Sequence, residues 1–144
     1  MIKKANHRDL EEILSRSVDA LYEGSVHTFK PSQEQAEQLI RTTLGQGGYY
    51  LALKEDENLR GWVLIGTSKD YFSQESIGFI YELYVLPAYR GKGLSRILMK
   101  AAIDELFNKG HGEIRLNVKA NNFAKELYKE FGFIDRQISM SLKV

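Results

Sequence analysis

The chain has 144 residues, 43% apolar and 27% charged, with a formal net charge of +1. That length suits one domain around a single core, and the near-neutral balance gives no electrostatic basis for binding nucleic acid or a membrane surface. With no cysteine, disulfides, thiolate metal sites and an acyl group carried on a protein thiol are all excluded.

Ile2 to Ala5 is predicted as a short first strand. Leu10, Ile13, Leu14, Val18 and Leu21 then recur at helical spacing over Arg8 to Tyr22, with Gly24 as the stop. Ser32 and Gln35 make an S-x-x-Q capping box that opens a second helix running to Leu44. Tyr49 to Lys54 and Leu59 to Ser68 read as the two strands of a hairpin. Ile77 to Leu86 is nearly all apolar, the pattern of a central strand covered on both faces.

A helix comes next with Leu94, Ile97, Leu98, Ala101, Ala102 and Leu106 on one stripe, then a strand over Glu113 to Val118 parallel to the central one. A short helix over Asn121 to Phe131 and a final strand over Phe133 to Leu142 complete the chain. His7, His27 and His111 are scattered, so no metal is expected. Met1-Ile2-Lys3-Lys4 leads into polar sequence and no run of roughly 20 apolar residues occurs, so a cytoplasmic location without a membrane partner is expected.

The stretch from Tyr84 to Ser95 says most about chemistry. The apolar run ends at Pro87, and Arg90-Gly91-Lys92-Gly93 leads directly into a helix. Bare glycine backbone, unpaired amides at a helix start and two cations make a natural site for a phosphate or pyrophosphate. The other reading of the same residues is a tight strand-to-helix turn with solvated cations. Neither a G-x-x-x-x-G-K-[ST] loop nor a third glycine of the dinucleotide fingerprint is present, which demotes nucleotide hydrolysis and NAD binding.

Arg90-Gly91-Lys92-Gly93-Leu94-Ser95, with Val85 and Pro87 ahead of it, resembles the glycine loop of the Gcn5-related N-acetyltransferase family. Ser95 stands where that family has Gly or Ala. A second match, Leu116-x-Val118-x-x-Asn121-x-x-Ala124-x-x-Leu127-Tyr128-x-x-x-Gly132-Phe133, comes in the family's order and at its distance. The resemblance implies an α/β (α+β) acyl-CoA N-acyltransferase fold, with a mixed sheet of six to seven strands and about four helices. It also implies an enzyme that moves an acetyl group from acetyl-CoA to a primary amine of a small molecule or protein.

The residues implied to hold the cosubstrate are Leu83, Tyr84, Val85, Arg90, Gly91, Lys92, Gly93, Leu94, Ser95, Arg96 and Asn121, with Tyr128 as proton donor. Each has a second reading: Asn121 as a helix N-cap, Tyr128 as a core side chain on the stripe Ala124, Leu127, Tyr128, Phe131. Glu82 is the only charge in the apolar strand, and an unpaired buried carboxylate is costly, so it is salt-bridged, set in a water-filled gap, or a general base. In some relatives the base precedes the Val of the next strand. Here that position is Asn117, which leaves Glu82 as the candidate.

Acceptor-side candidates are Tyr22 to Phe29, Trp62, and Asp70, Tyr71 and Phe72. The rival classes are a non-catalytic acetyl-CoA sensor and an interaction module. A homodimer paired through the exposed edge of the last strand is a further arrangement the pattern allows.

Overall fold

The computed structural model describes all 144 residues. Strands β1 (Ile2–Lys4), β2 (Tyr49–Glu55), β3 (Asn58–Lys69), β4 (Ser76–Val85) and β5 (Ile114–Leu116) form one sheet in sequential order. The first four are antiparallel neighbours and β5 lies parallel to β4, so the sheet is mixed as expected. The helices are α1 (His7–Ser15), α2 (Ser17–Gly24), α3 (Gln33–Gly45), α4 (Leu94–Asn108) and α5 (Ala124–Glu130).

Two expectations need correction. The single helix over Arg8 to Tyr22 is divided at Arg16, whose N–H bonds to Ile13 O at 3.0 Å. Ser15 and Ser17 donate their hydroxyls to the carbonyls of Glu12 and Leu14, at 2.6 and 2.7 Å, and this competition with the helical ladder ends the first segment. The strand expected over Phe133 to Leu142 is absent, so the sheet has five strands rather than six or seven. Phe133 packs on the core and Arg136 is ion-paired, but Ile138, Met140 and Leu142 stand exposed, and alternation alone does not make a strand without a paired edge.

Apolar residues of alternate parity divide the core between the two faces of the sheet. Tyr50, Ala52, Trp62, Leu64 and Tyr84 meet Ile13, Ala20 and Ile40 of α1 to α3. Leu51, Leu53, Val63, Ile65, Ile80 and Val85 meet Leu98, Met99, Ala102 and Leu106 of α4, with Tyr128, Phe131 and Phe133 at the margin. The helices start where their capping boxes dictate, Asn6 with Asp9 for α1 and Ser32 with Gln35 for α3.

Strand β4 is irregular at one point. Leu64 pairs with Glu82 but Ile65 pairs with Ile80, so Tyr81 is an extra, bulged residue. On the other side β4 and β5 pair only from Gly78 to Ile80, opposite Ile114 to Leu116. Beyond the bulge β4 continues to Val85 without a β5 partner, and the sheet is open there.

Candidate active site

The open edge of β4 carries its own polar groups. Leu86 N–H donates to Arg60 O at 2.9 Å, which makes Gly61 and Val85 a pair whose own peptide groups face away from each other. By the same alternation, Leu83 and Val85 direct their N–H and C=O groups into the gap toward β5. Val85 O is taken by Arg90 Nε at 2.9 Å.

A turn of 3-10 helix at Pro87–Tyr89 then leads into the glycine loop. Gly91 and Gly93 adopt left-handed backbone, φ 80° and 75°, with nothing within 4 Å of where a Cβ would stand. The glycines are therefore demanded by backbone conformation and leave an open surface above the loop. Gly93 is the N-cap of α4 and offers no side chain, and no backbone N–H from Gly91 to Arg96 finds an acceptor in the chain. Ile97 N–H, the next, bonds to Gly93 O at 3.4 Å. A row of free amides at the positive end of a four-turn helix is built to receive an anion.

The cations around it divide. Arg90 spans the chain to Glu23 of α2 with bonds of 3.3 and 2.6 Å and lies over the Tyr84 ring at 5.2 Å, so its charge is spent on fixing the loop to α2. Arg96 pairs with Glu130 of α5. Lys92 has no carboxylate partner and lies 6.0 Å from the Tyr89 ring centre, which leaves it as the free charge of the loop. Leu94 and Ser95 are half-buried at the first turn of α4.

Glu82 is reached from the α1–α3 side. Trp62, wholly buried, donates Nε1–H to Glu82 Oε2 at 2.7 Å, and burial nevertheless raises the carboxyl to about 6. No cation pairs with it, so the salt bridge is not made. Tyr50 stands beside this pair, its ring edge-on to Trp62 at 6.5 Å and its buried hydroxyl without a hydrogen-bond partner. Desolvation, then the Glu82 charge, raise the Tyr50 phenol far above its usual range.

Tyr128 lies across the sheet from Glu82. It packs against the α4-side core with its ring 6.2 Å from Phe133, its hydroxyl bonds to no group of the chain, and burial raises its pKa. Between these two faces β4 and β5 are no longer paired beyond Ile80 and Leu116. Asn121 does not cap α5: Asn122 Oδ1 takes the Ala124 N–H at 2.9 Å, and Asn121 is exposed with its side chain unbonded.

The acceptor-side expectations fare differently. Trp62 is buried under Glu82 rather than open to a ligand. Asp70, Tyr71 and Phe72 lie before the first residue of β4, about 30 Å from the glycine loop at 3.3 Å per strand residue. Asp70 there pairs with Arg115 and Arg136, and the Ser73 N–H, then Arg115 and the Phe72 N–H, hold its carboxyl well below the usual range. Trp62 as the partner of Glu82, and Glu23 as the anchor of Arg90, carried no local signal because each meets its partner only through tertiary contact.

Residues 10–133 match the family model described as Acetyltransferase (GNAT) family. The chain belongs to this family. Among GNAT relatives, the ribosomal protein bS18-alanine N-acetyltransferase of Haemophilus influenzae is 30% identical over 107 residues, 69% of each chain. The mycothiol acetyltransferase of Renibacterium salmoninarum is 37% identical over 89 residues, 60% of this chain, and the match spans about a quarter (26%) of that longer protein. A solved structure assigned as an acetyl transferase from Pyrococcus furiosus superposes with a TM-score of 0.85 at 27% identity, covering 100% of this chain and 99% of that one. The GNAT fold therefore holds along the whole chain, with five strands in the sheet.

Proposed function

We propose that the chain transfers an acetyl group from acetyl-CoA directly to a primary amine, with Glu82 as general base and Tyr128 as proton donor. The observation that carries this reading is the row of free amides from Gly91 to Arg96 beside the opening between β4 and β5. The loop fits a pyrophosphate: free N–H groups, open space over two left-handed glycines and one unpaired lysine. Leu83 and Val85 offer peptide groups along this opening, Tyr84 supports Arg90, and Asn121 and Tyr128 stand on the α5 side.

The acceptor comes from the face of α1 to α3. An alkylammonium has a pKa near 10.4, so at neutral pH only about one molecule in a thousand is nucleophilic, a handicap of roughly 4 kcal/mol. Glu82, ionised above about pH 6, takes the ammonium proton. The freed amine attacks the thioester carbonyl, which the Val85 N–H polarises, and Tyr128 protonates the departing thiolate. Because the two side chains work from opposite faces, amine and thioester meet in the opening and no covalent intermediate on the protein is needed.

The relatives' names give a ribosomal-protein alanine and mycothiol, so the acceptor panel runs from peptides with N-terminal alanine to small amines, amino acids and polyamines. Calorimetric titration with CoA, then thiol release against this panel, tests the reading. Absence of binding at millimolar CoA ends it. Tight binding with no thiol release for any amine makes the chain a sensor instead of an enzyme.

A further inference from the structure

The bulge in β4 changes which way one aromatic side chain faces. Consecutive strand residues ordinarily point to opposite faces of a sheet, so the neighbour of Glu82 belongs on the α4 side. Tyr81 does not lie there. Trp62 and Leu64 of β3 face the α1–α3 core and Ile65 faces α4, so Gly66 faces the α1–α3 side again. A Cβ at Gly66 would stand 3.2 Å from Tyr81 Cε2, which puts the Tyr81 ring on that same side. Phe79, paired with Gly66, holds its ring 4.8 Å from that of Tyr81. The extra residue therefore turns Tyr81 onto the face where Trp62 meets Glu82.

The fold makes little use of these two rings. Neither packs into the core beneath α1 to α3, Phe79 is half-buried and Tyr81 is 37% exposed. Burial alone raises the Tyr81 phenol, without help from any charge. Adjacent Cα atoms are about 3.8 Å apart, so an amine whose nitrogen is at Glu82 has its next few atoms within reach of the Tyr81 ring. A flat ring backed by a second ring suits an aromatic or apolar group, and it offers a second ammonium no carboxylate of its own.

We propose that Tyr81, backed by Phe79, sets acceptor specificity: the pair is a platform for an aromatic or apolar group carried close to the amine that Glu82 deprotonates. Gly66 belongs to the same device, since its missing side chain lets the Tyr81 ring lie against the sheet. The acceptor class is then an apolar primary amine, such as an arylalkylamine or a peptide amine beside a large apolar side chain, rather than a polyamine. This inference rests on the acetyl-transfer reading.

Thiol release with phenethylamine, propylamine and putrescine tests it. The native enzyme is expected to show a kcat/KM for phenethylamine at least about tenfold above that for either of the others. Tyr81→Ser should cut this preference at least about fivefold, and Tyr81→Phe, which keeps the ring, should retain it. A native preference for putrescine, equal rates with all three, or a preference that survives Tyr81→Ser overturns the platform while leaving acetyl transfer intact. No thiol release with any amine overturns both.

Discussion

Replacing Trp62 by Phe removes the hydrogen bond that favours the ionised form of Glu82 against burial. Such a bond to a charged group is worth about 1.5 to 3 kcal/mol, and 1.36 kcal/mol is one pKa unit, so the carboxyl should rise by roughly one to two units. From its present value of about 6 it moves to between about 7 and 8. At pH 7 the ionised fraction then drops from roughly nine-tenths to between a half and a tenth, whereas at pH 9 it stays above about nine-tenths. The acidic limb of kcat/KM should shift by the same amount, with the high-pH plateau kept within about twofold.

Thiol release reports this cleanly, because the protein has no cysteine to react with the reagent. Stability carries a second signature. A carboxyl whose pKa is raised on folding binds its proton more tightly in the native state, so Glu82 lowers stability as pH rises from 4.5 through about 6. In Trp62→Phe that decline should extend to higher pH. An acidic limb still near 6, or a rate loss equal at every pH, would refute the role given to this pair.

Tyr128→Phe should lower kcat about a hundredfold with little change in CoA affinity, and unchanged turnover at saturating substrate removes Tyr128 as the proton donor. Gly93→Ala should weaken CoA binding about tenfold in a calorimetric titration, since a Cβ in left-handed backbone costs roughly 1 to 2 kcal/mol although space for it exists. Equal affinity would mean the loop conformation does not matter. Tyr50→Phe deletes a buried hydroxyl that has no partner, so it should raise the thermal midpoint by about 3 °C, and a lower midpoint would mean that hydroxyl is bonded.

Much of the site was legible because its parts are local. The glycine loop needs only neighbouring residues to define it: a strand end at Pro87, left-handed turns at Gly91 and Gly93, and the exposed amides of the next helix. Ser32 with Gln35 marked a helix start for the same reason. The attachment of Arg90 to Glu23, 67 residues away, is one that no spacing could reveal. Asn121 is not the cap of α5, which begins at Ala124 after Phe123 without a side-chain cap, while Asn122 Oδ1 accepts the Ala124 N–H in the turn before it.

From sequence alone came the element order, the parallel pairing of the central strand with the one after α4, and the glycine loop at the start of that helix, since hydrophobic period and turn chemistry act over a few residues. Three things awaited the folded chain: the bulge at Tyr81 and the parting of β4 from β5, the burial of Trp62 beneath Glu82, and the missing sixth strand. Each depends on which surfaces meet across the sheet. Strand pairing, desolvation of a carboxylate and the lack of a partner for an amphipathic segment are properties of assembled neighbours, and no window of sequence contains those neighbours.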